Sequence, residues 1–209
     1  MELVIASHNI HKIREFKSIL KKVGTFDLFS LMDFPDYVPV EETGSTFEEN
    51  AILKARHAAT ALGKLVLADD SGLVVPALKG APGVYSARYA GKNASDKDNR
   101  QKLLKEMRLL QDHSRQAYFE CVLALATPEK LIKTAKGVVE GVILEKEKGS
   151  AGFGYDSLFM KHEYGKTFAE LNEETKNRIS HRRKALDRLL PTFETLFQAY
   201  TENGSKCSL

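Results

Sequence analysis

The 209-residue chain has no tryptophan, two cysteines, six prolines and no long apolar run. Cys121 lies inside an apolar segment and Cys207 in a polar tail, so neither a disulfide framework nor a zinc site is indicated. No stretch approaches the ~18 apolar residues of a membrane span. The N-terminal MELVIASHNI carries acid where a secretion signal carries base, so a reducing cytoplasm is the expected setting. Also missing are a G-x-S-x-G elbow, an H-E-x-x-H pair, the glycines of a Walker loop and any histidine grouping at metal-ligand spacing. Excess charge is scarce too. A net charge of +3 is too weak to argue for a nucleic-acid binder, although it suits an enzyme acting on a small polyanion.

What remains is an ordinary globular composition, 43% hydrophobic and 28% charged. LVIA (3–6) reads as a buried strand, followed by a tight turn and a helix with Ile10, Ile13, Phe16, Leu20 and Val23 at helical spacing and Gly24 as its stop. Residues 25–45 read as irregular. Thr46 and Glu49 form a capping-box pattern ahead of an alanine-rich helix ending at Gly63. KLVLA (64–68) is a strand delivering Asp69-Asp70, and a turn-rich loop follows. Ser95 and Asp98 cap a helix to about Leu110. Runs at 117–127 and 130–144 read as an antiparallel hairpin or meander, and the C-terminal third is helical, its last helix reaching Tyr200. This order predicts an α/β protein: a long mixed central sheet flanked by helices, in two lobes with a substrate cleft between them. Residues 1–200 are expected to form one domain and 201–209 a loose polar tail.

Four stretches could carry chemistry. In SHNIHK (7–12), a strand handing over to a helix leaves backbone N–H groups that attract phosphate, with Asn9 as a cap or donor and Lys12 as a charge. A plain cap followed by solvated lysines is the simpler reading. Glu41-Glu42 and Asp69-Asp70 offer oxygen ligands suited to Mg²⁺, with one carboxylate left to act as base. Asp-Asp-Ser-Gly is equally good turn chemistry. GFGYD (152–156) sets Phe153 between glycines, where a ring can meet a flat ligand, or makes a bulged turn. Lys176, Arg178, His181, Arg182 and Arg183 put positive charge near a helix start, where the dipole disfavours it, or form a solvated basic face.

ASHNIHKIREF, EETGSTFEENAILKARHAA, LADDSGLVVPALKGAPGVYSARYAG, GFGYD and KNRISHRRKAL, in that order, resemble the inosine triphosphate pyrophosphatases, or non-standard purine NTP pyrophosphatases. The resemblance implies hydrolysis of ITP, dITP and XTP to the monophosphate and pyrophosphate, with Mg²⁺, in a protein that is commonly a homodimer and needs neither nucleic acid nor membrane. It makes Asp70 the general base and a metal ligand, Glu41 a second ligand and Asp69 a support. Ser7, His8, Asn9, Ile10, His11 and Lys12 match the triphosphate loop, and Ser71 a further contact. Phe153, Gly154, Tyr155 and Asp156 match the base-binding turn, and Lys176, His181 and Arg182 the residues closing over the base. The family's usual Thr-Gly-Asn is here Ser7-His8-Asn9, which is tolerated while His8 keeps a negative φ. The alternatives are a pyrophosphatase of the septum-formation inhibitor kind acting on modified pyrimidine or other nucleotides, and a nucleotide-binding module without turnover.

Overall fold

A computed structural model of the chain describes residues 1–21 and 26–204, with side chains through residue 199. β1 (Glu2–Ala6) leads into α1 (Ile10–Leu20), then β2 (Asp27–Ser30), α2 (Phe47–Leu62) and β3 (Val66–Val74). α3 (Asp96–Glu106) precedes β4 (Gln116–Ala126) and β5 (Leu131–Ile143). β6 (Phe159–Lys161), β7 (Lys166–Thr167), α4 (Glu173–Ile179), α5 (His181–Asp187) and α6 (Leu190–Gly204) follow. The strands form one seven-stranded sheet in the order β2-β1-β3-β4-β5-β6-β7. β1 runs parallel to β2 and β3, whereas β6 is antiparallel to β5 and β7. The expected mixed α/β sheet is therefore present. No helix among the described residues is long and apolar enough to cross a membrane.

The chain divides into two compact units, Met1–Asp69 with Val122–Lys136 and Arg182–Leu209, and Asp70–Cys121 with Gly137–His181. In the first, β1 lies between two parallel neighbours, and Leu3, Val4, Ile5 and Ala6 are all buried. A strand covered on both faces reads as a continuous apolar run, as LVIA does. α1 buries Ile13, Phe16, Ile19 and Leu20, whereas Ile10 is 45% exposed, so its apolar stripe begins a turn later than the spacing suggests. Val23 and the stop expected at Gly24 lie outside the described residues. α2 starts at its Thr46 cap, ends at Gly63 and buries Ala51, Ala55, Ala58 and Ala59. These positions recur on one helix face, and their small side chains permit close packing on β1.

The second unit closes around Leu73, Val75, Leu103, Met107, Phe119, Ile143, Phe159 and Phe168. Arg115 is buried among them. Its guanidinium donates to the carbonyls of Ile143 (2.7 Å), Met107 (2.9 Å), Leu110 (3.1 Å) and Leu144 (3.0 Å). Four carbonyl dipoles offset the cost of burying that charge.

Four expectations change. Asp27–Ser30, expected to be irregular, is a strand; four residues give too short a period to detect. β3 does not stop at the aspartates but runs on to Val74, so Asp-Asp-Ser-Gly is strand rather than turn. α3 ends at Glu106, beyond which the chain tightens into turns, the Arg108 N–H donating to the Lys105 carbonyl at 3.4 Å and the Leu110 N–H to the Met107 carbonyl at 3.0 Å. α6 passes Tyr200 and reaches Gly204, the first helix-stopping residue type there. β4 and β5 are sheet neighbours joined at a turn where the Thr127 N–H donates to the Lys130 carbonyl, 2.9 Å.

Candidate active site

The turn from β1 into α1 satisfies much of its own backbone. Ser7 Oγ accepts from the Asn9 N–H at 3.1 Å, and Asn9 Oδ1 from those of His11 (3.0 Å) and Lys12 (3.3 Å). Of its two expected roles, Asn9 takes that of helix cap, so these N–H groups are already engaged. His8 is exposed, and it is not among the described non-glycine residues with positive φ, Lys79 and Asp112, so the condition for tolerating it is met.

Lys12, one turn into α1, carries its ammonium to Asp69 on β3. Arg182, at the start of α5, approaches the other Asp69 oxygen at 3.4 Å through Nε and donates from Nη1 to Glu15 at 2.8 Å. Glu15, Asp69 and Arg182 are buried, and Lys12 nearly so. Burial pushes the Asp69 carboxyl upward, but Lys12 and Arg182 outweigh it and hold the group well below the usual carboxylate range. The formal charges of the four groups cancel. The cluster therefore presents fixed donors and acceptors rather than a net positive pocket.

Asp70 and Ser71 follow on β3, Asp70 buried and Ser71 partly so. Successive strand side chains leave opposite faces, which parts the two adjacent carboxylates. Gly72 is required by close approach: a Cβ there would lie 2.3 Å from Ser86 Oγ, the group that accepts from the Leu73 N–H at 2.9 Å. Glu41 is exposed, while its neighbour Glu42 pairs with Lys54 at 2.8 Å. Among the described residues no group of three or more His, Cys, Asp or Glu could hold a metal ion. Glu41 and Asp70 are hard oxygen donors of the type Mg²⁺ takes, and its sites commonly use only one or two carboxylates besides phosphate and water.

In the second unit, Asp156 closes the turn that begins at Gly152. Asp156 Oδ2 accepts from the Phe153 N–H at 2.9 Å and from the buried Lys176 ammonium at 2.7 Å. A Cβ on Gly152 would fall 2.2 Å from that same oxygen, and its φ of 77° disfavours side chains in any case. Lys176 Nζ sits 5.0 Å from the centroid of the half-buried Phe153 ring. Tyr155 is 3% exposed and donates to the Ser86 carbonyl at 2.9 Å, so its side chain anchors the turn from within. Burial raises its phenol well above the ordinary value. His181, also buried, stacks on Phe119 with centroids 4.9 Å apart, and Phe119 in turn stacks on Phe168.

The sequence matches the Ham1 family over residues 3–192. The chain belongs to that family. It is 55% identical to the dITP/XTP pyrophosphatase of Protochlamydia amoebophila over 197 residues, covering 94% of this chain and 99% of the relative. Solved Ham1 proteins share the fold. That of Staphylococcus aureus superposes with a TM-score of 0.82 at 47% identity, covering 93% of this chain and 99% of that one. That of Coxiella burnetii gives 0.84 at 43%, with the same coverage.

The structure joins Lys12, Asp69 and Arg182 in one cluster, and Phe153, Asp156 and Lys176 in another. Sequence reading of this Ham1 chain missed Glu15, which accepts from Arg182 beside Asp69. A signal was present: Glu15 is the single acid of its helix and falls between Ile13 and Phe16 on the apolar side, where an acid needs a partner.

Proposed function

We propose that the chain hydrolyses non-standard purine nucleoside triphosphates (ITP, XTP and dITP) to the monophosphate and pyrophosphate, clearing deaminated purines from the nucleotide pool. The observation that carries this reading is the 55% identity, over 94% of the chain, to a protein named dITP/XTP pyrophosphatase. The α–β anhydride is the bond proposed to break. Residues 1–200 are taken as the working domain, in a cytoplasmic homodimer that uses neither nucleic acid nor membrane.

The site residues divide by the part of the substrate they suit. Ser7 to Lys12 and Ser71 are assigned to the triphosphate. Glu41 and Asp70 are the proposed Mg²⁺ ligands, with Asp69 in support, and bound Mg²⁺ would neutralise phosphate charge. Asp70 accepts a proton from the attacking water as oxygen bonds to the α-phosphorus. The α–β P–O bond breaks, and the Lys12 ammonium stabilises the departing pyrophosphate. Lys12 reaches Asp69 in the free protein, which keeps that ammonium ordered before substrate arrives.

Phe153, Gly154, Tyr155 and Asp156 are assigned to the base, Phe153 as its stacking platform. Lys176, His181 and Arg182 are donors, and hypoxanthine and xanthine offer a 6-oxygen where adenine offers an amino group. A site built to hydrogen-bond one group rejects its replacement by up to roughly 10⁴-fold.

Pyrophosphate release from ITP, XTP, dITP, ATP, GTP, CTP and UTP, with and without EDTA, tests the proposal. EDTA-sensitive release from the inosine and xanthosine nucleotides alone is expected. Release chiefly from a pyrimidine nucleotide would assign the chain a different substrate class, and release from none would leave a binding module.

A further inference from the structure

The backbone of Gly154, in the middle of the Phe153–Asp156 turn, is held by α3 through both of its peptide groups. Its N–H donates to Asp96 Oδ2 at 2.7 Å, and its carbonyl accepts from Arg100 Nη1 at 2.9 Å. Asp96 and Arg100 are four residues apart, so they project one above the other from a single helix face. That face is itself fixed. Ser95 and Asp98 form a capping box at the helix start. Asn99, 2% exposed, accepts from the Ala90 N–H at 2.8 Å and donates to the Ala87 carbonyl at 3.1 Å. Arg100 Nε lies 2.9 Å from Glu147 Oε2, which also accepts from Ser157 Oγ at 2.8 Å. The turn is thus held before, within and after its apex, and charged partners do most of the holding.

The geometry points to Asp96 and Arg100 as positioning residues for base recognition, which fix the orientation of the turn bearing Phe153 without touching the nucleotide. The inference rests on the reading of that turn as the base-binding segment. Neither residue belongs to a motif matched by the family resemblance, and an Asp and an Arg near the start of a helix of low apolar content look like ordinary solvated charges in sequence. Their work is pre-organisation. A turn held in one conformation before binding spares the ordering cost when the base arrives, and that saving appears in substrate affinity rather than in the chemical step.

The test compares the full-length wild type with Asp96→Ala, Asp96→Asn and Arg100→Ala, measuring kcat and KM for ITP together with hydrogen exchange of the Gly154 amide by NMR. Asp96→Ala and Arg100→Ala are expected to raise KM about tenfold with kcat within about threefold, the scale of one charge-assisted hydrogen bond. Asp96→Ala should also speed Gly154 exchange about tenfold or more. Asp96→Asn keeps an acceptor oxygen and should recover most of both effects. Unchanged KM in both alanine variants overturns the inference. So does a fall in kcat that merely tracks a fall in Tm, because that marks a general structural role. If the wild type hydrolyses no purine nucleotide, the base-binding reading falls by itself. The amide exchange still decides the clamp, and an unchanged Gly154 rate would overturn it.

Discussion

The Asp69 cluster and the Phe153 turn both bury ion pairs, but they are assembled in opposite ways. Around Asp69, side chains from α1, β3 and α5 converge from positions as far apart in sequence as Lys12 and Arg182, and each carboxylate meets a cation. Around Phe153 the frame is built on one short turn. Asp156 caps the N–H of a residue three positions earlier and pairs with Lys176 of α4, while Asp96 and Arg100 of α3 hold Gly154. The first arrangement suits a task of fixing charge, the second one of holding a ring in place. Asp69 meets two cations and Arg182 two anions, and Lys176 pairs with Asp156 at 2.7 Å.

The largest expected effect separates chemistry from both clusters. Asp70→Asn should lower kcat for ITP by about 10³–10⁴-fold while nucleotide affinity stays near wild type, as read by steady-state kinetics and calorimetric binding. Near-normal turnover would remove Asp70 as the base.

Next comes the contrast between these ion pairs. Lys176→Ala leaves Asp156 buried without its lysine and should cost about 3–5 kcal/mol of stability. Lys12→Ala leaves Asp69 with Arg182 and should cost less than half as much. Thermal unfolding at pH 7 checks the order, and equal losses would erase the distinction.

Acid sharpens the same point. Because Asp69 is held below the ordinary carboxylate range near 4, its contribution is complete above that range and disappears as pH falls through the lowered value. Asp69→Asn should therefore lower Tm at pH 7, by an amount matching about 2–3 kcal/mol, and the gap to wild type should narrow as the pH is taken from 5 towards 2. A gap independent of pH would contradict the ion-pair origin of that stability.

The smallest effect concerns the turn's own geometry. Gly152→Ala forces a Cβ towards Asp156 Oδ2 at a positive φ and should cost about 1–2 kcal/mol, with a raised KM for ITP.

These regions were unequally legible in the sequence. Strand and helix order could be read because buried runs such as LVIA and the alanine face of α2 have clear periods. β2 could not, since four residues show no period. Asp69-Asp70-Ser71-Gly72 looked like a turn because each residue favours one in isolation. In the fold, β3 keeps its course, Lys12 and Arg182 answer the first carboxylate, and Gly72 makes room for Ser86. The GFGYD turn was legible because its glycines are local signals. Asp96, Arg100 and Glu15 were not, because their partners lie from 47 (Arg100 to Glu147) to 167 (Glu15 to Arg182) residues away in sequence.

The division of labour between phosphate and base is tested by kcat/KM for ITP and for ATP in Lys12→Ala and Lys176→Ala. Lys12→Ala should lower both values together and keep the wild-type ITP:ATP ratio, because phosphates are common to the two nucleotides. Lys176→Ala should lower ITP far more than ATP and shrink the ratio by about tenfold or more. A ratio that falls equally in both variants, or falls only in Lys12→Ala, would contradict the assignment of Lys12 to the phosphates and Lys176 to the base.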